Sequence, residues 1–484
     1  MLFNSLQFVI FFPLVTLAYF LLPHKYRWFL LLSASCVFYA AFIPIYILIL
    51  AFTIVVDYFA GILIAKKTGK QKLAFLVMSI VANVGVLAFF KYFNFLNENF
   101  AYLAQLIHWN YPISALAIIL PIGLSFHTFQ AMSYTIEVYR GNHLPERNFG
   151  IYALYVMFYP QLVAGPIERP QNLIHQFYEH HQFDYQRAVD GLKLMAWGMF
   201  KKVVIADRLA ILVNQVYSQP SDYAGPSLML ATVLFAFQIY CDFSGYSSIA
   251  IGAARVMGFK LMNNFDRPYL SRSISEFWAR WHISLSTWFR DYLYIPLGGN
   301  RVSKWRWQFN ILLTFLISGL WHGANWTYVA WGAINGLYLV VSNVTSAVRK
   351  SIIDIIGINC SSSLYRFFRV FTTFSLVCFA WIFFRAKDIH EALYVAGHIF
   401  SGLGSIFSIE GIKSNLRGLG FDRYDYLIVL LSLGLMEFIQ RRGEATQVLS
   451  ERLVWFRWPL YYLVVMAILL FGVFNKSQFI YFQF

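Results

Sequence analysis

Runs of about 20 apolar residues recur along almost the whole chain, and a helix of this length spans the apolar core of a bilayer. Only short polar stretches separate the runs, so no soluble domain fits between them. The composition agrees, because 59% of the 484 residues are hydrophobic and only 13% are charged, against about a quarter in soluble proteins. We therefore predict an all-α polytopic membrane protein that forms one integral-membrane domain over residues 1–484.

The runs predict about eleven transmembrane helices, together with re-entrant and interfacial helices. Basic residues follow the first run instead of preceding it, which predicts a retained first helix with its N-terminus outside. The predicted spans are residues 2–22, 28–42, 44–65, 73–95, 112–138, 149–165, 190–214, 226–257, 309–345, 367–385, 424–440 and 456–474.

The net charge of +15 is distributed as short basic clusters between the apolar runs. This distribution is typical of cytoplasmic loops, which carry an excess of lysine and arginine. It argues against nucleic acid as a partner. The four cysteines are far apart and form no Cys/His cluster, so neither a disulfide framework nor a zinc site is predicted.

Residues 273–301 predict an amphipathic helix that lies on the cytoplasmic side of the membrane. Ser273 and Glu276 have the spacing of a capping box, and Glu276 is positioned to pair with Arg280 four residues later. His282 lies off the aromatic face and is a candidate site residue. The alternative interpretation is a lipid-surface anchor without chemistry. The aromatic face consists of Trp278, Trp281, Leu285, Trp288 and Tyr292.

Residues 318–332 place a histidine inside an otherwise apolar segment. Gly319 and Gly323 form a small-xxx-small pair that permits close helix approach. His322 lies between them, and imidazole is the side chain best suited to moving a proton near neutral pH. Asn325, three residues later on the same predicted helix face, is a candidate for orienting His322 or for stabilising an oxyanion. The alternative is a histidine with a packing role only.

Asp242 is the third polar group that stands inside an apolar run. Ionisable groups in such positions usually face a protein-lined cavity or a charged partner. The two interpretations are a structural pair with an arginine and a carboxylate that orients a histidine.

The chain resembles the membrane-bound O-acyltransferase superfamily, and within it the alginate O-acetyltransferase-like branch of polysaccharide acetylation proteins. The resemblance covers essentially the whole chain, with its core motifs at about residues 238–340. Its motifs are SEFWARWHISLSTWFRDYLYIPLGGNR at 275–301, SGLWHGANWTYVAWG at 318–332, VAGPIERP at 163–170, YCDFSGYSSIAIG at 240–252, FAWIFFRA at 379–386 and FIYFQF at 479–484.

The resemblance implies a ring of membrane helices around a central funnel in a bacterial inner membrane. It assigns the invariant histidine of the superfamily to His322 and the second motif histidine to His282. It also implies cytosolic acetyl-CoA as the donor, no permanently bound cofactor, and a periplasmic SGNH-type acetyltransferase as the partner that esterifies a polysaccharide such as alginate. Further candidate site residues within the motifs are Asp242, Trp281, Asp291 and Trp321.

The residues fit that scheme, because a highly charged thioester donor is attracted by a basic cytoplasmic vestibule. His322 is then the general base for the acceptor hydroxyl, and a covalent acetyl-histidine step is left open. The alternatives are a transporter or flippase of an acylated carrier or glycan, and a D-alanyl-type transferase with a carrier-protein donor. The candidate vestibule residues are Arg280, Arg290, Arg301 and Lys304.

Overall fold

The computed structural model describes residues 1–116, 121, 123–441, 454–474 and 479–480. Its named elements are all helices, and one isolated antiparallel β-bridge joins Phe265 to Trp281. The all-α prediction is therefore confirmed. The first eleven α-helices are α1 (Leu6–Leu21), α2 (His24–Ala40), α3 (Ile47–Lys66), α4 (Gly69–Leu87), α5 (Phe93–Leu106), α6 (Leu124–Arg140), α7 (Phe149–Met157), α8 (Pro170–Leu173), α9 (Tyr185–Met199), α10 (Asp207–Ser218) and α11 (Gly225–Met257).

The remaining α-helices follow the same pattern of long apolar and short connecting segments. In the described residues, the π-helical segments Ala88–Tyr92 and Phe200–Ala206 interrupt longer helices, and a third, Arg290–Tyr294, directly follows Phe289 and precedes a turn. The later α-helices are α12 (Ile274–Arg280), α13 (Ile283–Phe289), α14 (Lys304–His322), α15 (Trp326–Val344), α16 (Ser346–Ile356), α17 (Ser363–Arg385), α18 (Ile389–His398), α19 (Ile409–Leu416), α20 (Arg423–Arg441) and α21 (Val454–Phe471).

Within the described ranges, four helical stretches are long and apolar enough to cross a membrane. Two shorter apolar helices, Leu6–Leu21 and Arg457–Phe471, accompany them. The chain is thus a multi-pass membrane protein, whereas the count of about eleven spans stays a prediction. The four stretches are Pro44–Lys66, Gly69–Leu106, Gly225–Met257 and Ser363–Arg385.

The chain divides into two compact units. Unit 1 comprises Met1–Ala196 and Tyr246–Met262, and unit 2 comprises Trp197–Gly245 and Asn263–Phe484. Both motifs with a candidate histidine, residues 275–301 and 318–332, belong to unit 2. The prediction of a single domain over the whole chain stays a prediction.

In unit 1, the packing of α3, α4 and α6 encloses a buried carboxylate. Asp57 accepts hydrogen bonds from the Ser79 hydroxyl at 2.6 Å and from the Asn83 amide at 2.8 Å. The Ser79 hydroxyl also lies 2.9 Å from that of Thr135 on α6. Burial of a carboxylate requires such hydrogen bonds, so this cluster fixes how the three helices pack.

In unit 2, α14 and α15 form an antiparallel hairpin joined by residues 323–325. Glycines permit the close approach of the two helices. A Cβ at Gly319 would lie 2.2 Å from the Tyr328 carbonyl oxygen, and one at Gly332 would lie 2.4 Å from that of Phe315. The close approach predicted from the small-xxx-small pair is confirmed, and the predicted run 309–345 is two helices.

The prediction of one amphipathic helix with an aromatic face at the lipid boundary is wrong for residues 273–292. The segment divides into α12 and α13, because His282 adopts a left-handed backbone conformation with φ of +43°. Trp281 and Trp288 are buried at 1% and 6% exposure and so pack inside unit 2. The aromatic face therefore forms protein core instead of a lipid anchor.

The local pairs predicted for the start of that segment are present. The Ser273 hydroxyl accepts a hydrogen bond from the Glu276 backbone N–H at 3.1 Å and caps α12. Glu276 accepts from the backbone N–H of Arg272, one residue before the cap, and pairs with Arg280 at 2.8 Å. The capping motif thus begins α12 where the sequence predicts it.

Candidate active site

His322 is the last residue of α14, and aromatic rings surround its imidazole. The ring centroids of Trp321 and Trp331 each lie 4.9 Å from that of His322, and the centroid of Phe384 lies at 5.2 Å. All three rings meet the imidazole edge to face, the geometry that aromatic pairs prefer. His322 itself is only 5% exposed, so the structure places this candidate in an apolar enclosure.

The enclosure is assembled from three helices of unit 2. Trp331 comes from α15, and Phe384 comes from α17 within the FAWIFFRA motif. Trp381 stacks on Trp331 with centroids 6.0 Å apart and packs edge-on against Phe384 at 5.1 Å. The rings therefore support each other as well as His322, which fixes the imidazole in place.

Asn325 does not share a helix face with His322, so that part of the prediction is wrong. Gly323 ends α14 in an extended conformation, and Asn325 caps α15. The Asn325 side-chain oxygen accepts from the Thr327 backbone N–H at 3.0 Å, and its amide donates to the Lys387 carbonyl at 3.0 Å. The side chain thus holds the connection that directly follows His322.

His282 occupies the break between α12 and α13, where an antiparallel stretch holds its backbone. Ile283 donates its N–H to the Asn264 carbonyl at 2.9 Å, and Asp266 donates to the Arg280 carbonyl at 3.0 Å. The left-handed conformation of a non-glycine residue is strained, and such strain clusters at functional sites. The surrounding hydrogen bonds over-determine the conformation and keep it in place.

The imidazole of His282 is 1% exposed and contacts aromatic rings. Its ring centroid lies 4.6 Å from that of Phe243 and 6.4 Å from that of Trp321. Since Trp321 also contacts His322, this indole connects the two histidines. Burial lowers the pKa of His282 to about 3, so its imidazole is neutral at pH 7.

A cavity of about 480 Å³ runs beside the two histidine motifs, a volume within the usual range for small-molecule sites. Ser286, Arg290 and Tyr294 line one side, and Thr314 and Ser318 of α14 line another. Ser318 stands four residues before His322, which places the two side chains on one helix face. The cavity therefore reaches α14 about one helical turn from the candidate catalytic histidine.

The predicted vestibule residues differ in their exposure and in their position relative to the cavity. Arg290 lines the cavity, is 59% exposed and pairs with Asp291 at 2.8 Å. Arg301 and Lys304 are exposed, and Arg280 is half-buried in its pair with Glu276. Of the four basic candidates, the structure places Arg290 at the cavity.

Hydrogen bonds from α14 fix the segment that precedes this helix. The Asn310 amide donates to the carbonyls of Leu297 and Gly299, both at 3.1 Å. The Trp307 indole N–H donates to the Tyr294 hydroxyl at 2.8 Å. Gly299, with φ of +55°, permits the left-handed turn that this arrangement requires. The turn is therefore fixed next to Tyr294 and Trp307, which line the cavity.

Asp242 forms a structural ion pair, as one of its two interpretations predicts, but its partner is a lysine and not an arginine. The Lys202 ammonium lies 2.8 Å from Asp242 and 2.9 Å from Asp207. The backbone N–H of Ile480 donates to the second Asp242 oxygen at 2.9 Å. Asp242 is thus the centre of a buried polar cluster, and its neighbour Phe243 contacts His282.

Sequence reasoning missed several residues that shape the site. Trp331 and Phe384 enclose His322, and although both lie within motifs, the sequence does not indicate this role. Asn264, which holds the His282 backbone, lies in a polar loop without any periodicity that would indicate its role. In sequence, Lys202 belongs to a basic cluster, which indicates a loop. The apolar residues that flank the cluster are the sign in the sequence that Lys202 is buried.

Comparison with known proteins supports the assignment of these motifs. The family model described as MBOAT, membrane-bound O-acyltransferase family, matches residues 80–383. The chain is 38% identical over 447 residues to a probable alginate O-acetylase AlgI of Pseudomonas aeruginosa, with 90% of this chain and 82% of that protein covered.

Two further relatives carry different names. A peptidoglycan O-acetyltransferase of Helicobacter pylori is 34% identical over 431 residues, which cover 82% of this chain and 79% of that protein. A teichoic acid D-alanyltransferase of Streptococcus thermophilus is 33% identical over 249 residues, which cover 48% of this chain and 59% of that protein. The matched family segment contains both histidine motifs, His282 and His322, and more than half of the chain. The protein is therefore an O-acyltransferase and belongs to the membrane-bound O-acyltransferase family.

Proposed function

We propose that this protein transfers an acetyl group from cytosolic acetyl-CoA across the bacterial inner membrane for O-acetylation of an extracellular or periplasmic polysaccharide such as alginate. A periplasmic SGNH-type acetyltransferase is the partner that completes the transfer. The observation that carries the proposal is the enclosed His322, which lies one helical turn beyond a cavity lined by Arg290. Relatives named as an O-acetylase or an O-acetyltransferase match 82% or more of the chain, which supports acetyl as the group transferred.

Under this proposal, His322 is the general base of the reaction. An acceptor hydroxyl oxygen attacks the thioester carbonyl carbon, and the imidazole takes the hydroxyl proton. The carbon–sulfur bond then breaks, the ester forms, and the CoA thiolate receives a proton. General base catalysis of this kind contributes about 10²–10⁴-fold to the rate. An acetyl-histidine intermediate is a variant of the same scheme in which His322 is the first nucleophile.

The neighbouring residues have supporting roles. Asn325 orients His322 by holding the connection after α14 through its bonds to Thr327 and Lys387. His282 is neutral and its ring contacts Trp321, so it supports the geometry of the site. Further support comes from Trp281, which packs on Trp381 with centroids 5.2 Å apart, and from Asp242 through the cluster around Lys202.

The donor enters from the basic cytoplasmic side. Arg290, Arg301 and Lys304 are exposed cations, and a charged donor is attracted by such a group before its thioester reaches the apolar enclosure. Arg280 and Asp291 orient this surface through their ion pairs. In the same arrangement, the chain crosses the membrane about eleven times around a central funnel, with its N-terminus outside.

A D-alanyl-type transferase with a carrier-protein donor is the second candidate, because one relative carries that name. It is less well supported, since that relative matches only 48% of the chain.

Membrane vesicles that contain the protein and its periplasmic partner test the proposal directly. With radiolabelled acetyl-CoA, we expect free CoA to appear and label to reach the partner or the polysaccharide. The His322→Ala variant should lose transfer while its folded yield is unchanged, and His390→Ala, at an exposed histidine of α18, should retain transfer. Absence of CoA release would contradict acetyl-CoA as the donor, and normal transfer by His322→Ala would remove the catalytic assignment.

A further inference from the structure

Residues 479–480 begin the FIYFQF motif, to which the proposed reaction assigns no role. Both residues are buried in unit 2. Phe479 is 1% exposed and Ile480 is 3% exposed. The Ile480 backbone N–H donates to Asp242 Oδ2 at 2.9 Å, and the Phe479 ring centroid lies 5.7 Å from that of Phe243. The segment therefore contacts two consecutive residues of α11, one through its backbone and one through its side chain.

The carboxylate that receives Ile480 is itself fixed by a buried cation. Lys202 Nζ lies 2.8 Å from Asp242 Oδ1 and 2.9 Å from Asp207 Oδ1, and all three side chains are 4–5% exposed. Buried ion pairs add little net stability compared with apolar residues of the same volume, but their geometry is specific. Removal of one partner leaves a buried charge uncompensated, so the orientation of Asp242 depends on Lys202.

Lys202 comes from an unusual backbone segment. It lies within the π-helical segment Phe200–Ala206, between α9 and α10. Such segments are rare, and they occur frequently at functional sites because they place side chains that an α-helix would direct elsewhere. A buried ion pair on a π-helical segment favours a positioning role over a purely stabilising one.

Phe243 connects this cluster to the histidine motifs. Its ring is fully buried and meets the His282 imidazole edge to face, with centroids 4.6 Å apart and an interplanar angle of 83°. His282 contacts Trp321, and Trp321 contacts His322. An unbroken series of ring contacts thus leads from Phe479 to the candidate catalytic histidine.

We infer that Asp242 and Lys202 anchor the segment Phe479–Ile480, and that the anchored Phe479 holds Phe243 against His282. Asp242, Lys202, Phe243 and Phe479 are then positioning residues for the transferase site, and none of them takes part in the chemistry. The inference rests on the proposed function only in assigning His282 and His322 to that site.

Hydrogen–deuterium exchange of the full-length protein in detergent tests the anchor. Lys202→Met and Asp242→Asn should raise the exchange rate of the Ile480 amide about tenfold, because its acceptor is no longer held in place. Glu137→Gln is the matched control, since it neutralises a buried carboxylate of unit 1 that pairs with Arg140. Unchanged exchange at Ile480 in both test variants would overturn the inference.

Two aromatic substitutions test the link to the site. Phe479→Leu and Phe243→Leu should lower kcat for acetyl transfer about 10- to 100-fold, with KM for acetyl-CoA unchanged, because a small displacement of the catalytic groups has effects of this size. Exchange of the His282 ring C2 hydrogen should accelerate in the same variants. Phe421→Leu, at a ring that packs on Tyr426, is the control and should change neither quantity.

The two measurements separate this inference from the proposed function. Absence of acetyl transfer in the wild-type protein would contradict the proposed function, while the exchange rates at Ile480 and His282 would still decide whether the segment positions the site. Normal kcat and normal His282 exchange in Phe479→Leu would overturn the inference, whatever the reaction.

Discussion

Gly319 of α14 approaches Tyr328 of α15 so closely that a Cβ at position 319 would lie 2.2 Å from the Tyr328 carbonyl oxygen. The contact lies one turn before His322, at the end of the helix that carries it. The position of the candidate catalytic imidazole therefore depends on a helix approach that only glycine permits.

We expect Gly319→Ala to force the two helices apart and to destabilise the protein by about 1–3 kcal/mol, as overpacked cores usually are. Acetyl transfer should fall by more than folded yield does, because His322 moves with α14. Gly434→Ala in α20 is the control, since a Cβ there meets nothing within 4 Å. Thermal unfolding in detergent and a transfer assay provide the two measurements, and equal behaviour of the two variants would contradict the prediction.

The backbone at His282 predicts an order of tolerance among substitutions. Asparagine adopts a left-handed conformation more readily than other non-glycine residues, whereas a β-branched residue is strained there. With φ of +43° at this position, His282→Val should lose about 1–3 kcal/mol more stability than His282→Asn. Both variants lack the imidazole, so a comparison of their unfolding temperatures isolates the backbone contribution.

The buried imidazole of His282 also predicts a pH dependence of stability. Burial lowers its pKa from 6.5 to about 3 in the folded protein, so the unfolded chain binds the proton more readily. The stability associated with the neutral ring is complete above pH 6.5 and is lost as the pH falls toward 3. Relative to His282→Asn, the wild type should lose up to about 1.4 kcal/mol per pH unit in that window. If the free energies of unfolding of the two proteins changed equally from pH 7 to pH 4, that result would argue against this account.

The basic surface beside the cavity predicts an effect on donor binding. Combined replacement of Arg290, Arg301 and Lys304 by alanine should raise KM for acetyl-CoA about two- to fivefold for each cation that contacts the donor. The effect should shrink as salt is added, because exposed charges are screened. Lys413→Ala, an exposed cation on α19, is the control, and an equal rise of KM in that variant would leave the surface without a specific role.

Two substitutions at Asn325 distinguish its structural roles, which are the cap on α15 and the hydrogen bond to Lys387. Asn325→Asp keeps the cap on α15 but removes the amide donor to Lys387, whereas Asn325→Ala removes both. Loss of the cap should cost about 1 kcal/mol in the alanine variant only. If the bond to Lys387 holds the connection after His322, kcat should fall in both variants, and transfer assays alongside unfolding measurements distinguish the two contributions.

Local features of the fold and of the site are predictable from sequence where the residues that form them lie within one helical turn of each other. The cap formed by Ser273, the pair of Glu276 with Arg280 and the close approach at Gly319 all depend on residues three or four apart. Helical periodicity contains this information directly.

Contacts between distant segments were not predictable in the same way. The aromatic spacing of residues 278–292 fits a continuous helix, and nothing in that spacing indicates a left-handed residue at His282. Asp242 could be recognised as a buried carboxylate, but its partner Lys202 is 40 residues away on a different helix. Pairing of this kind is decided by tertiary packing, which overrides local propensity.

The aromatic enclosure of His322 has a consequence for the fate of the thioester. Water is the most abundant competitor of any acceptor hydroxyl, and its entry into a cavity requires polar partners. The rings of Trp331 and Phe384 instead give the imidazole an apolar contact surface. Under the proposed function, a site built in this way suppresses hydrolysis of the donor, so that the acetyl group persists until an acceptor arrives.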